Sequence, residues 1–558
     1  MTQKETYQQN LNLLREGNPL LAFQISITDK RASLYSNGQE YHAADLEGIE
    51  VLYIYGLDRV DLYLSLLSWL HQKETRKMVL IEDDLTIFAS FLEEDIAMRV
   101  LKDPQIKICS IVDGQEENLK KIVWSHLFSL YYFIDGSREK AKAVHSLLDE
   151  FQMGAELTMC LYRDFGIAHM KNLFCNLLHT KIFRRGESLQ GKFKKIPAII
   201  CGAGPSLESN IAELKKLKGR ALLFAGGSAL NTLSIHHVPI HFGGSLDPEL
   251  PPYRFIRQTY FELPFFYQNR LDHEFFNSLQ GPKLCLGDNE GFPLEKWLME
   301  TLHLGTDSFD AGWNAATFLT HVAASLGCNP IIFIGMECAK TEGGVYSSGV
   351  EQIEEGKRYK REDRIGCVDR FGEPAFTRPD FLMGKNWLEI FAKMHASIQF
   401  FNASEKGLNF EGIENKKLSA LISKLETSYD LEGLIHATIE SSEAIKIDQK
   451  EVLREMEKMK KSTCRCQVLL IELLTLLKRD VEKTNPSFEE GGYALQMVEL
   501  EEELFYQTLL LPIWDVWKCF FQNDAMVFPL FEKKIQETLF YQEVTNKYLE
   551  MMEHAVRG

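Results

Sequence analysis

Four apolar runs in this chain end in glycine-rich or acidic turns, and those turns hold the groups best suited to a charged ligand. The first turn is Gly202-Ala-Gly-Pro-Ser-Leu207, placed between Ile196-Pro-Ala-Ile-Ile-Cys201 and a helical pattern from Glu208 to Lys218 that Gly219 closes. Glycines remove the Cβ atoms that would hold an anion away from backbone N–H groups at a helix start. Pro205 is suited to a helix start, and Ser206 can cap the helix or donate to a phosphate. The turn lacks the third glycine of GxGxxG and the Gly-Lys-Ser/Thr of a Walker loop, so neither a standard dinucleotide site nor a P-loop follows. A plain βα connection has the same spacing and remains an open reading. The second turn, Gly226-Gly-Ser228, follows Ala221-Leu-Leu-Phe-Ala225. The third, Gly243-Gly-Ser-Leu-Asp-Pro248, follows the expected strand Val238–Phe242 and presents Asp247 as a site acid or as the start of an Asp-Pro turn. The fourth run, Pro330-Ile-Ile-Phe-Ile334, leads into Gly335-Met-Glu337, a second acid at a strand's carboxyl end. His321, in the middle of the helical stretch Trp313–Leu326, reads as a packed core histidine.

Positioning these groups together requires an open parallel sheet, whose neighbouring strand ends form a ligand crevice. The rhythm from residue 191 to 415, strand, turn, helix, strand, predicts such a sheet in a central domain. Residues 1–190 show a second βαβ rhythm at Glu50–Gly56 and Lys77–Asp84, a Rossmann-like N-terminal domain. Only Gly56 stands where a nucleotide would want a glycine-rich turn, so a structural domain without nucleotide is expected there. The basic segment Lys181–Lys195 reads as a solvated linker. Fourteen of the seventeen prolines lie between Pro19 and Pro379, and none follows until Pro486. From 416 to 558 the pattern is of long amphipathic helices, a helical domain suited to packing, homo-oligomerisation or a partner surface.

With 558 residues, 45% of them apolar, the chain can bury several cores. Its net charge of −17 argues against wrapping a nucleic-acid backbone. Eleven scattered cysteines, an odd number without a CxxC pair, indicate neither a disulfide framework nor a zinc ribbon and fit a reducing cytoplasm. No export signal or membrane span is expected.

The order of Gly202–Leu207, Gly335-Met-Glu337, Asp369-Arg-Phe-Gly372 with Thr377, Trp387-Leu-Glu389 and Asn402-Ala-Ser-Glu-Lys-Gly407 resembles the motility-associated factor (Maf) glycosyltransferases. The likeness covers roughly residues 190–415 and is weaker at Tyr55-Gly56, Glu82 and Lys102-Asp-Pro104. It implies a central domain similar to bacterial sialyltransferases, a CMP-activated nonulosonic sugar as donor, and Ser or Thr of a flagellin-like protein as acceptor. The same domain is similar to 6-hydroxymethylpterin diphosphokinases of the MptE kind, which act on ATP and a pterin. A catalytically silent binding or assembly protein is a third reading, since Glu337 stands where the family usually has Asp and Lys406 where a glycine is usual. On the glycosyltransferase reading, Asp247 and Glu337 are the catalytic acids. Gly202, Gly204, Pro205, Ser206, Leu207, Gly226, Gly227, Ser228, Tyr346 and Thr377 meet the nucleotide sugar, with His241 in reserve as a base. No prosthetic group is expected, although Asp247 and Glu337 could share a divalent metal.

Overall fold

A computed structural model describes residues 3–28, 31–32, 34, 46–58, 60–112, 116–126, 129–134, 140–159, 166–250, 261–287, 293–305, 307–340, 345–347, 365–425, 427–481, 493–513 and 530–555. The chain divides into two compact units, residues 1–161 with 512–537, and residues 162–511 with 538–558.

The first unit is built on β1 (Val51–Tyr55), β2 (Lys77–Glu82), β3 (Ile106–Ser110) and β4 (Tyr131–Ile134), all parallel in the order β3-β2-β1-β4. β1 and β2 are buried along their whole length, which suits their unbroken apolar runs in a sheet covered on both faces. Glu82, fully buried, accepts backbone N–H bonds from Leu57, Asp83 and Asp84. A carboxylate engaged with three amides caps its own loop.

The second unit contains a ten-stranded sheet. Its strands are β5 (Ile182–Arg185), β6 (Ala198–Cys201), β7 (Leu222–Ala225), β8 (Phe242–Ser245), β9 (Phe265–Tyr267), β10 (Lys283–Cys285), β11 (Ile331–Ile334), β14 (Phe400–Asn402), β15 (Glu414–Asn415) and β16 (Ala444–Lys446). Between β11 and β14 the chain adds an antiparallel hairpin, β12 (Ile365–Val368) and β13 (Pro374–Thr377). The sheet order is β15-β14-β11-β6-β7-β8-β9-β10-β5-β16, and every ladder is parallel except β16 on β5. The chain thus steps from β6 outward through β7 to β10, then returns to the other side of β6 with β11. Between β6 and β11 the strand order reverses, and there a doubly wound sheet opens its crevice.

Several local expectations change. The basic segment 181–195 is no linker: it supplies β5, and Phe183, Leu189 and Phe193 are fully buried among its lysines and arginines. Strand β8 begins at Phe242, so Gly243 and Gly244 lie inside the strand. Their missing side chains make room for the Phe265 ring and for Leu319 on the helix Ala315–Ser325. The helical pattern after Ser206 breaks at Asn210 into Ser206–Ser209 and Ile211–Lys215. The central sheet also draws on sequence beyond 415: β16 closes one edge, and Leu431, Ile435 and Ile439, one face of the helix Leu431–Glu440, join its core. Farther on, the amphipathic stretches Leu453–Lys461 and Val468–Lys478 belong to one helix, Gln449–Val481.

Candidate functional site

The carboxyl ends of β11, β6, β7 and β8 stand side by side in that order, bringing the four turns onto one rim of the sheet. Because β11 neighbours β6, the Gly335–Glu337 segment folds directly against the first glycine turn. Gly202 N donates to Ile334 O at 2.8 Å and Gly204 N to Gly335 O at 2.9 Å. Gly335 N donates to Ser206 Oγ at 3.2 Å. A Cβ on Gly202 would overlap Gly335 O, and one on Gly204 would overlap Glu337 Oε2. These glycines are therefore fixed by the close approach of the two strand ends. Gly335, at φ +68°, also sits where an L side chain is strained.

Glu337 is 3% exposed and its Oε1 accepts the Ser206 N–H at 2.9 Å. Its Oε2 is buried without a hydrogen-bond partner. Burial pushes this carboxyl above the usual range; the Ser206 hydroxyl and amide pull it back, and the nearby Glu405 adds to the rise. The carboxyl of Glu337 thus fills the place beside the first turn where an external anion would have met the Ser206 amide. Leu207, fully buried, packs behind the turn.

The second turn differs. The helix Ser228–Ile235 starts after Gly227, which has φ +49° and makes no side-chain cap; among the described residues nothing lies within 4 Å of the position a Cβ would take there. Gly226 is tightly set, its Cβ position overlapping Gly244 O and 2.9 Å from Ala315 Cβ. Gly227 and the half-buried Ser228 therefore border open space at a helix start, with partial positive charge available to an anion.

Asp247 is half-buried beyond the end of β8. Its loop is held from behind, with Asp272 N donating to Asp247 O at 2.9 Å and Asn172 Nδ2 to Pro248 O at 2.8 Å. β6 and β7 lie between β11 and β8, so the strands that lead to Asp247 and Glu337 are about three interstrand steps apart, roughly 14 Å. Among the described residues no group of three or more His, Cys, Asp or Glu could hold a metal.

Tyr346 is half-buried and is brought to the first turn by its neighbour. Ser347 donates from both N and Oγ to Ala203 O, at 2.8 and 3.1 Å, and its Oγ meets Thr232 Oγ1 at 2.8 Å. Thr377, buried, donates to Cys338 O at 2.7 Å and so staples the β12–β13 hairpin to the segment after Glu337. His241 lies away from chemistry: its Nδ1 accepts the Leu223 N–H at 3.0 Å, and burial lowers it to about 4, so it stays a neutral link between strands. His321 stacks on Phe309 and bonds Asp310 O, as a core histidine would.

Three groups not singled out individually from sequence complete the rim. Ser404 Oγ accepts the Met336 N–H at 2.9 Å while Ser404 N donates to Asn402 Oδ1 at 3.0 Å. Asn210 Nδ2 donates to Ser206 O at 2.9 Å and reaches Glu405 Oε1 at 3.3 Å. Arg370, on the hairpin turn, reaches the same 402–407 loop. The Asp369–Gly372 and Asn402–Gly407 motifs gave a signal for two of these; Asn210 had none.

Two comparisons place this architecture. Residues 169–343 match the family model of the 6-hydroxymethylpterin diphosphokinase MptE-like domain. The structure of the Maf glycosyltransferase from Magnetospirillum magneticum AMB-1 superimposes with a TM-score of 0.58 at 13% identity, over 99% of this chain and 96% of that one. No curated protein matches the sequence. The chain thus has the fold of a Maf glycosyltransferase with an MptE-like segment at its centre, as the motif order implied. Among the described residues no helix is long and apolar enough to cross a membrane.

Proposed function

We propose that this chain is a glycosyltransferase that moves a sialic-acid-like sugar from a CMP-activated donor to a Ser or Thr hydroxyl of a protein such as flagellin. The observation that carries this reading is the division of labour between the two glycine turns. The first is occupied by Glu337, while the second, at Gly227, begins a helix into open space. The phosphate of the donor belongs at the second turn, with its ester and sugar directed along the rim past Asp247. Glu337 and Glu405 lie on the other side, and two carboxyl groups there favour a donor with a single phosphate charge over a triphosphate. This favours a CMP-linked sugar over the ATP of the pterin diphosphokinases, the runner-up that the match over residues 169–343 keeps in view.

In this reaction the acceptor oxygen bonds to the anomeric carbon as the bond from that carbon to the phosphate oxygen breaks. CMP leaves with the bonding electron pair. Asp247, the more open of the two acids, takes the proton from the acceptor hydroxyl, and the amides after Gly227 hold charge as it gathers on the leaving phosphate. Glu337 acts through the turn it holds. Asp247→Asn should lower turnover by about 10²–10⁴ with an unchanged melting temperature. Turnover at the parent rate would remove Asp247 from the chemistry.

A further inference from the structure

Two asparagines, Asn172 and Asn176, stand four residues apart in the helix Gly166–His179, and both are buried. Asparagine is a poor helix former and a buried amide is costly unless its donors and acceptor are met, so an apolar residue would serve plain packing better. Their partners are backbone groups of the strand-end loops. Asn176 Nδ2 donates to Asn269 O at 3.1 Å and to Leu271 O at 2.8 Å, both in the loop after β9, and its Oδ1 is left without a partner. Asn172 Nδ2 donates to Pro248 O at 2.8 Å and to Arg270 O at 3.0 Å, while its Oδ1 accepts the His273 N–H at 3.1 Å. Of the two, Asn172 alone reaches the loop after β8, and it uses both donors and its acceptor to do so.

That reach ends one residue from Asp247. Pro248 has a fixed φ, and the chain around it is pinned at two successive carbonyls, Asp247 O by Asp272 N at 2.9 Å and Pro248 O by Asn172. Just before, Ser245 is paired with Tyr267 across β8 and β9. The far side of the clasp is fixed as well, since Asp272 caps the helix His273–Ser278 by accepting the Phe275 N–H at 2.9 Å. The half-buried acid on this loop therefore has its main chain anchored to a buried helix. A carboxylate that takes a proton in the transition state must be held within about 0.5 Å of its productive place, and a loop alone does not supply that.

We propose that Asn172 is a positioning residue for Asp247, fixing the main chain beside it so that the carboxylate meets the acceptor hydroxyl. This rests on the proposed function, in which Asp247 takes the acceptor proton. Asn172 acts only through the loop it holds.

The test is a double-mutant cycle on the full chain, reading CMP release from CMP-sialic acid with purified flagellin as acceptor, in the parent, Asn172→Asp, Asp247→Asn and the double variant. Asn172→Asp keeps the shape and the acceptor but turns an oxygen toward the two carbonyls. The expected result is a fall in kcat of roughly 10- to 100-fold with the KM for CMP-sialic acid unchanged. In the Asp247→Asn background the same substitution should cost nothing further, because the group it positions is gone. Asn176→Asp is the matched control: it removes two amide bonds from the same helix, but to the β9 loop alone, and should lower the melting temperature while keeping kcat. A loss of the same factor in both Asp247 backgrounds, an unchanged kcat in Asn172→Asp, or an equal loss in Asn176→Asp makes Asn172 a structural clasp and overturns the proposal. A parent without turnover overturns the proposed function, and Asp247→Asn at the parent rate overturns the assignment of the base; this proposal falls with either. Should Asn172→Asp fail to fold, Asn172→Gln keeps the amide on an arm one carbon longer, and the same cycle is read on it with the same criteria.

Discussion

Glu337 and Gly204 form one device: the glycine lacks a side chain because the carboxyl lies against it, and the carboxyl is held because Ser206 N–H donates to it. Gly204→Ala should therefore lower stability by about 1–3 kcal/mol, since a methyl group there must displace Glu337 or the β11 end. Ser228→Leu should instead cost less in the urea midpoint and more in ligand affinity, because its larger side chain sits half-buried at the first position of the helix, where the backbone is helical and takes any side chain. Equal affinity for the two variants would contradict the division between the turns. A second residue pair sets pH behaviour. Glu295 is fully buried, with Asn269 donating to its Oε1 at 3.1 Å and His169 Nε2 at 3.4 Å from its Oε2. Burial raises its carboxyl from 4.5 to about 7, against the pull of Asn269 and Arg270. Between those values the folded chain holds a proton that the unfolded chain has released, so stability falls as pH rises through the window. Melting temperatures from pH 4.5 to 7.5 should decline less steeply in Glu295→Gln; parallel curves would show that the carboxyl ionises unhindered.

At the scale of elements, cutting the chain after residue 415 should abolish cooperative unfolding of the central sheet. The cut removes β16 from its edge and Leu431, Ile435 and Ile439 from its core, and each such core loss is worth about 2–5 kcal/mol against a total stability of about 5–15. A sharp two-state transition of the sheet in the shortened chain would contradict this. The same elements show what a sequence exposes. Strand ends followed by glycine or acid were legible because each punctuates an unbroken apolar run, as at Cys201, Ala225 and Ile334. Their lateral order was hidden, since β11 pairs with β6 across a long stretch of sequence that carries no local mark of the pairing. Gly243 and Gly244 looked like a turn, yet they are strand residues whose small size serves Phe265 and Leu319. In the segment 181–195 the basic residues masked a buried series, Phe183, Leu189 and Phe193. Glu337 could be seen as an acid at a strand end, but its attachment to Ser206 depends on two strands meeting.

For the whole molecule, if the proposed function holds, an acidic chain of net charge −17 collects an anionic donor against its own field, which raises the demand on local groups at the rim. On the proposed function, the helix start at Gly227 meets that demand, and Glu337 and Glu405 limit how much negative charge the crevice admits. The proposed site is thus expected to take a ligand with one phosphate in preference to a triphosphate. Competitive titration of the full chain with CMP-sialic acid and with ATP plus 6-hydroxymethylpterin tests this most directly. CMP-sialic acid should bind, ATP should fail to displace it at equal concentration, and Ser228→Leu should lose the binding while keeping its fold. Preferential binding of ATP with the pterin, or undiminished CMP-sialic acid binding by Ser228→Leu, would contradict the proposed function.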